Sequence, residues 1–143
     1  MAFYCAHRER CTSEVESKMT SLGIPKHIQQ GVIEFLQKEN YLNDQRFVFN
    51  YVRSKFYRNC WGKIRIRMAL RQKRLPASLI GKALEEIQTE EYYQTLLSLA
   101  EKKASRLKKS LTKSLKRQAL FRFLVIKGFE ANLVDEVVRT VVP

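Results

Sequence analysis

The chain has 143 residues, 45% of them hydrophobic and 29% charged, with a formal net charge of +13. That length supports one ordinary core, burying roughly two-thirds of the surface the unfolded chain exposes, so neither disulfides nor a metal is needed. Five glycines and three prolines are few for a loop-rich β protein and point to helix. No stretch approaches the ~20 apolar residues that span a bilayer; the most apolar run, Leu120 to Ile126, is broken by Arg122.

In chain order, Ala2 to Cys11 offers room for a first helix. His7, Arg8, Glu9 and Arg10 interrupt any signal-peptide core there, so a cytoplasmic protein is expected. Cys5, His7 and Cys11 lack a fourth metal ligand and read as ordinary helix positions. Three cysteines without framework spacing suit reduced thiols in a reducing compartment. From here three segments align without gaps: Ile24-Pro25-Lys26-His27-Ile28, Leu75-Pro76-Ala77-Ser78-Leu79 and Phe129-Glu130-Ala131-Asn132-Leu133, spaced by 51 and 54 residues.

Ahead of each lies an i, i+4 apolar pair, Val15/Met19, Ile66/Leu70 and Leu120/Leu124, and behind each follow Val32/Ile33, Ala83/Leu84 and Val137/Val138. The unit is an amphipathic helix ending at Gly23, Arg74 or Gly128, a short turn, and a second helix opened by Pro or Glu. Glycine past a helix end supplies a left-handed residue, and Pro in a first turn loses no hydrogen bond. Arg74 departs from the glycine pattern, so the middle turn is expected to close differently. Further helices are expected at Asp44 to Tyr57 and at Thr89 to Leu107, where Leu96, Ala100, Ala104 and Leu107 are spaced helically. Asn43-Asp44 and Thr89 are the candidate N-caps.

Ile64-Arg65-Ile66-Arg67-Met68 alternates with the period of a strand. It has no partner run, and a lone strand leaves its backbone groups unpaired, so the repeat alignment decides for helix. The expected architecture is all-α: three tandem three-helix repeats over 1–39, 40–88 and 89–143, forming an elongated, curved, right-handed helical array.

Charge is distributed in blocks. Residues 1–50 are neutral; residues 51–75 hold nine basic side chains, Arg53, Lys55, Arg58, Lys63, Arg65, Arg67, Arg71, Lys73 and Arg74, and no acid. Residues 76–101 are net −4, 102–122 return to +9 without an acid, and 123–143 are −1. One such block could be a solvated helix face. Two blocks repel themselves unless a polyanion or acidic surface neutralises them, which favours a binding role. Lys63, Arg67, Arg71 and Arg74 form a stripe beside Ile66, Ala69 and Leu70. Tyr51, Phe56, Tyr57 and Trp61 stand among these charges, where helix-core packing is a commoner use than base stacking.

No glycine-rich phosphate loop, zinc-ligand pairing or nucleophile-base set is present. Glu85/Glu86 and Glu90/Glu91 flank a turn and a helix start, where acids suit the helix dipole. Neither an enzyme nor a cofactor or small-molecule substrate is expected.

At Tyr41-Leu42-Asn43-Asp44-Gln45-Arg46-Phe47, Tyr51-Val52-Arg53, Trp61-Gly62 and Ile66 to Leu75 the chain resembles the RecX family, bacterial regulators of the RecA recombinase. The likeness extends through Arg8-Glu9-Arg10-Cys11 to Gly23 and through Lys127-Gly128-Phe129, covering nearly the whole length. The resemblance implies a modular protein that lies in the groove of the RecA–DNA filament, inhibits its ATPase, strand-exchange and coprotease activities, and contacts single- or double-stranded DNA.

On that reading the contact residues are those nine basic side chains together with Lys102, Lys103, Arg106, Lys109 and Lys113. Trp61 packs at the base of the basic helix, where Gly62 allows close approach. A monomer is expected. The rival reading is a general DNA- or RNA-binding helical repeat without a recombinase partner. A peripheral membrane role fits the charge, but the basic helices lack a broad apolar face.

Overall fold

A computed structural model describes residues 1–143 as nine α-helices and no strand. They are α1 (Ala2–His7), α2 (Thr12–Ser21), α3 (Lys26–Lys38), α4 (Asp44–Tyr57), α5 (Lys63–Gln72), α6 (Ala77–Glu85), α7 (Thr89–Arg106), α8 (Lys113–Ile126) and α9 (Ala131–Val141). The helix pairs in most extensive contact all join members of one triplet: α2 with α3; α4, α5 and α6 with one another; α7, α8 and α9 likewise. α1 joins α2 and α3 through Cys5, buried in their cluster, so the molecule is a tandem array of three-helix units. None of its helices is long and apolar enough to cross a membrane.

The three aligned turns close identically. Gly23, Arg74 and Gly128 all adopt positive φ, at 78°, 59° and 103°. In each, the following N–H reaches five residues back: Ile24 to the Met19 carbonyl (3.0 Å), Leu75 to Leu70 (3.4 Å) and Phe129 to Leu124 (3.3 Å). The expectation that Arg74 would close its turn differently is thus incorrect. A bulky residue occupies the left-handed position because Leu75, 6% exposed, is pulled into the core immediately after it. Pro25, Pro76 and Glu130 are N-cap residues, standing one position before the first turn in which the alignment put them.

Two further expectations shift at helix ends. The segment from Ala2 does not run as one helix to Cys11; α1 stops at His7, because Cys11 caps α2. Its N–H donates to Glu14 Oε1 (3.1 Å) in a reciprocal capping box. Thr89 is the first helical residue of α7 and Gln88 its N-cap. Asn43 does cap α4, its side-chain oxygen accepting the Arg46 N–H at 3.0 Å. The alternating segment Ile64 to Met68 lies within α5, with Ile66 and Leu70 fully buried and Ile64 and Met68 exposed.

Apolar burial divides unequally. A core of 21 buried residues runs through the second and third triplets without interruption and takes in Cys11 from the first, whereas a separate cluster of six closes the first: Cys5, Val15, Met19, Ile33, Leu36 and Leu42. The second and third triplets share Phe56, Tyr92 and Phe129, whose ring centroids lie 5.8 and 5.1 Å apart in sequence. Their backbones also touch. Gly62 donates its N–H to the Lys127 carbonyl (2.8 Å), and Ile64 to that of Gly128 (3.0 Å). A Cβ built on Gly62 would stand 2.2 Å from the Gly128 carbonyl carbon, so only glycine permits this approach.

Apart from Cys11, fully buried in the larger core, the first triplet joins the second through polar groups. Asp44 Oδ1 accepts from the Thr12 N–H (2.8 Å) and hydroxyl (3.1 Å), and Arg46 Nε bridges both carboxylate oxygens of Glu9 at 2.9 and 3.0 Å.

Candidate nucleic-acid and protein interface

Helix α5 is the basic helix of the middle triplet. Ile66 and Leu70 anchor it in the shared core, and at 100° per residue Lys63, Arg67 and Arg71 then succeed one another along one flank. Its N-terminus is held by Tyr92 of α7, whose hydroxyl accepts the Lys63 N–H at 2.9 Å and donates to Glu130, the N-cap of α9. Burial, together with the Glu130 carboxylate, pushes the Tyr92 phenol far above its ordinary value, so it stays protonated. The Lys63 ammonium lies 4.8 Å from the same ring.

The C-terminal end of α5 is tied to the first triplet. Lys73 Nζ stands 3.0 Å from Glu14 Oε2, and Arg74 3.1 Å from Glu16. Burial opposes the Glu14 charge, but hydrogen bonds from Lys73 and the Cys11 N–H prevail and hold its carboxyl below the usual range. Arg53 pairs with Glu86 at 3.4 Å. Three of the nine basic residues in the acid-free block therefore find acids from elsewhere in the chain. Arg58, Arg67 and Arg71 are exposed and make no intrachain ion pair.

Aromatic faces absorb two more of these cations. The Arg65 guanidinium lies 4.0 Å and the Lys55 ammonium 4.7 Å from the Trp61 ring centroid, and Trp61 itself packs half-buried against the core. Phe56 is buried, and Tyr57, though exposed, donates its hydroxyl to Glu91 at 2.8 Å.

The third-triplet candidates sit elsewhere. α7 and α8 run antiparallel, because Tyr92 at the start of α7 meets Phe129 just past the end of α8. Lys102, Lys103, Arg106, Lys109 and Lys113 gather at the other end of this hairpin. At 1.5 Å per residue, Arg106 lies about 20 Å along α7 from Tyr92. The fourteen candidates thus form two basic zones, one on α4–α5 and one at the α7–α8 tip, and not one patch. Within the tip Lys103 leans over Phe123 at 5.0 Å.

Lys116, Arg117 and Arg122 extend the tip zone along α8 and were not among the candidates, although they belong to the same acid-free block. Tyr92, which fixes the start of α5, carried no sequence signal beyond its place in a helix.

These features define a class: a tandem three-helix-repeat protein with an anchored basic helix on its surface. Family models for RecX match here, the second three-helix domain over residues 43–84 and the third over 90–138. The chain belongs to the RecX family.

It is 32% identical over 127 residues to the protein described as regulatory protein RecX from Clostridium perfringens strain 13, covering 88% of this chain and 59% of that one. A Streptococcus uberis protein of the same description is 29% identical over 135 residues, covering 94% of this chain and 51% of its own. The chain therefore spans between half and three-fifths of the length of these relatives. The crystal structure of RecX from Lactobacillus salivarius superposes with a TM-score of 0.84 at 25% identity, covering 96% of this chain and 89% of that one. A second crystal structure, of a regulatory protein RecX, superposes at 0.85 with 23% identity and bears on the fold alone.

Proposed function

We propose that this chain regulates the RecA recombinase by binding the RecA–DNA filament and inhibiting its recombinase, ATPase and coprotease activities, acting by binding and not by catalysis. Its working units on this reading are 1–39, 40–88 and 89–143. The observation that carries the proposal is the α5 flank. Arg67 and Arg71 are exposed and free of intrachain acids, on a helix whose two ends are fixed by Tyr92 and Glu14. A basic row on a helix already fixed at both ends needs no ordering of its backbone to engage phosphates or acidic protein surface.

Arg53, Lys55, Arg58, Lys63, Arg65, Lys73 and Arg74 surround that row. Lys102, Lys103, Arg106, Lys109 and Lys113 supply a second contact at the α7–α8 tip, about 20 Å along α7 from the Tyr92 that holds the start of α5. A protein gripping at two separated points bridges neighbouring filament subunits, and so hinders their extension or turnover.

The test is single-stranded-DNA-dependent ATP hydrolysis by RecA with the chain titrated in, beside a DNA-binding control. Dose-dependent inhibition is expected. Arg67→Glu/Arg71→Glu should weaken it at least about tenfold while leaving helicity unchanged, and should reduce the salt slope of binding by about two. Unchanged inhibition in that variant rejects the assignment. DNA binding with no effect on RecA leaves a general nucleic-acid binder.

A further inference from the structure

The outer side of α8 is more apolar than a free helix surface requires. Leu120 and Leu124 are fully buried, yet Phe121, Val125 and Ile126 remain exposed, Ile126 at 67%. Phe121, Val125 and Ile126 wall a groove of about 740 Å³ between α8 and α9, with Val138 also lining it. A second depression, of about 430 Å³, lies where α8 meets α5 and is lined by Trp61, Ile64 and Met68. Val125 and Ile126 line both, so the two adjoin as one open channel at the boundary between the second and third triplets, its apolar side chains interspersed with charged ones. Met68 is 58% exposed within it. Exposed apolar surface of this kind, rimmed by polar residues, marks an interaction site.

The rim fixes the chemistry of the occupant. Arg117, Arg122 and Arg139 edge the first groove and Arg65 the second. The single carboxylate in either lining, Asp135, already pairs with Arg139 at 3.2 Å. Arg117 is held in place through Nε, which donates to the Val142 carbonyl at 2.8 Å.

We propose that this channel receives an amphipathic helix of a protein partner, apolar on the inserted side and carrying carboxylates along its flanks. Helix-in-groove recognition places apolar anchors at i, i+3, i+4 and i+7, and the arginines on the rim meet carboxylates beside such a row. A nucleic acid would satisfy the arginines but leave Ile126 and Met68 uncovered. A membrane surface would need apolar side chains projecting from a convex face, whereas here they line a channel. The inference rests on the reading that the chain acts on a protein target, and it separates the surface into a phosphate-gripping flank on α5 and a protein-gripping channel beside it.

The experiment is isothermal titration of the full chain with a synthetic helical peptide, leucine at those four positions, glutamate at the positions flanking them and alanine elsewhere, and with its lysine counterpart. The glutamate peptide should bind and the lysine peptide should not. Val125→Ser/Ile126→Ser, with unchanged circular dichroism and unchanged affinity for single-stranded DNA, should weaken the glutamate peptide at least about tenfold, from the apolar contact removed. Met68→Ser, at a separate exposed position, should weaken it in the same direction. Equal binding by wild type and both variants overturns the proposal, since attraction by charge alone would then suffice. So does absence of binding, or tighter binding to phosphatidylglycerol vesicles that the same variants abolish. RecA ATP hydrolysis is measured in parallel: if the wild-type chain takes the peptide but leaves RecA unaffected, the function proposed above fails and the channel stands.

Discussion

Gly62→Ala tests the junction between the second and third triplets. Gly62 has an ordinary φ of −75°, so alanine meets no backbone penalty, and the effect comes from space alone. The added methyl would lie 2.2 Å from the Gly128 carbonyl carbon, 2.3 Å from its oxygen and 2.3 Å from the Phe129 nitrogen. All three are backbone atoms and cannot swing aside, so the two turns must separate.

Separation gives up the hydrogen bonds from Gly62 to Lys127 and from Ile64 to Gly128, about 1 kcal/mol each. Overpacking strain adds about 1–3 kcal/mol, for a loss of about 3–5 kcal/mol in all. Urea unfolding followed by the emission of Trp61, the only tryptophan and the residue next to the contact, reads this directly. The matched control is Gly31→Ala, in the exposed interior of α3 with nothing within 4 Å, which should stabilise by about 0.5–1 kcal/mol. A loss below about 1 kcal/mol for Gly62→Ala, with the control behaving as stated, would refute the reasoning, because it would mean the close approach does not hold the triplets together.

Two further substitutions probe the fixed ends of α5. Tyr92→Phe removes a hydroxyl that satisfies both the Lys63 N–H and the Glu130 carboxylate, and should cost about 1–3 kcal/mol by thermal or urea unfolding. Because the folded phenol titrates above its unfolded value, the stability it contributes is complete below about pH 10 and is lost as pH rises further; the phenylalanine variant should lack that alkaline component. Glu14→Gln weakens the bond to Lys73 and should lower hydrogen-exchange protection in α2 and α3. The Glu14 carboxyl titrates below its unfolded value, so its contribution is present above about pH 4.3 and is lost as pH falls lower. Equal acid sensitivity in wild type and variant would show that Glu14 is not the group responsible.

Much of the fold was legible because it depends on short-range pattern. The i, i+4 pairs Val15/Met19, Ile66/Leu70 and Leu120/Leu124 are all fully buried, and Asp44 to Tyr57 matches α4 at both ends. The alternation at Ile64 to Met68 misleads as a strand signal for a physical reason: α5 bears apolar side chains on two sides, one in the core and one in the exposed channel. Arg74 could not be identified as left-handed by residue type, since the force that puts it there is the burial of Leu75.

The charged surface was legible only in part. An acid-free run in sequence says nothing of acids 59 positions away, and Glu14 takes Lys73 from such a distance. Nor could sequence order reveal that the two basic blocks stand at separate places, because that follows from the reversal of direction between α7 and α8. The Gly62 and Gly128 contact joins two glycines with no local feature in common except their neighbours' need for space.

The inequality of the two apolar cores gives the molecule an uneven stiffness. A unit of about 40 residues is near the lower limit for folding alone, and the first triplet closes over a separate cluster of only six buried apolar residues, with Cys11 buried in the larger core instead. What it lacks is lent by Glu9 with Arg46, Glu14 with Lys73 and Glu16 with Arg74, bonds that dissolved salt weakens. The rest of the array is held by apolar burial that ordinary salt concentrations leave nearly unchanged. Raising ionic strength therefore bears on the molecule unevenly: it weakens the ion pairs that tie down the first triplet and leaves the pair fused at Gly62 and Gly128 nearly as it was.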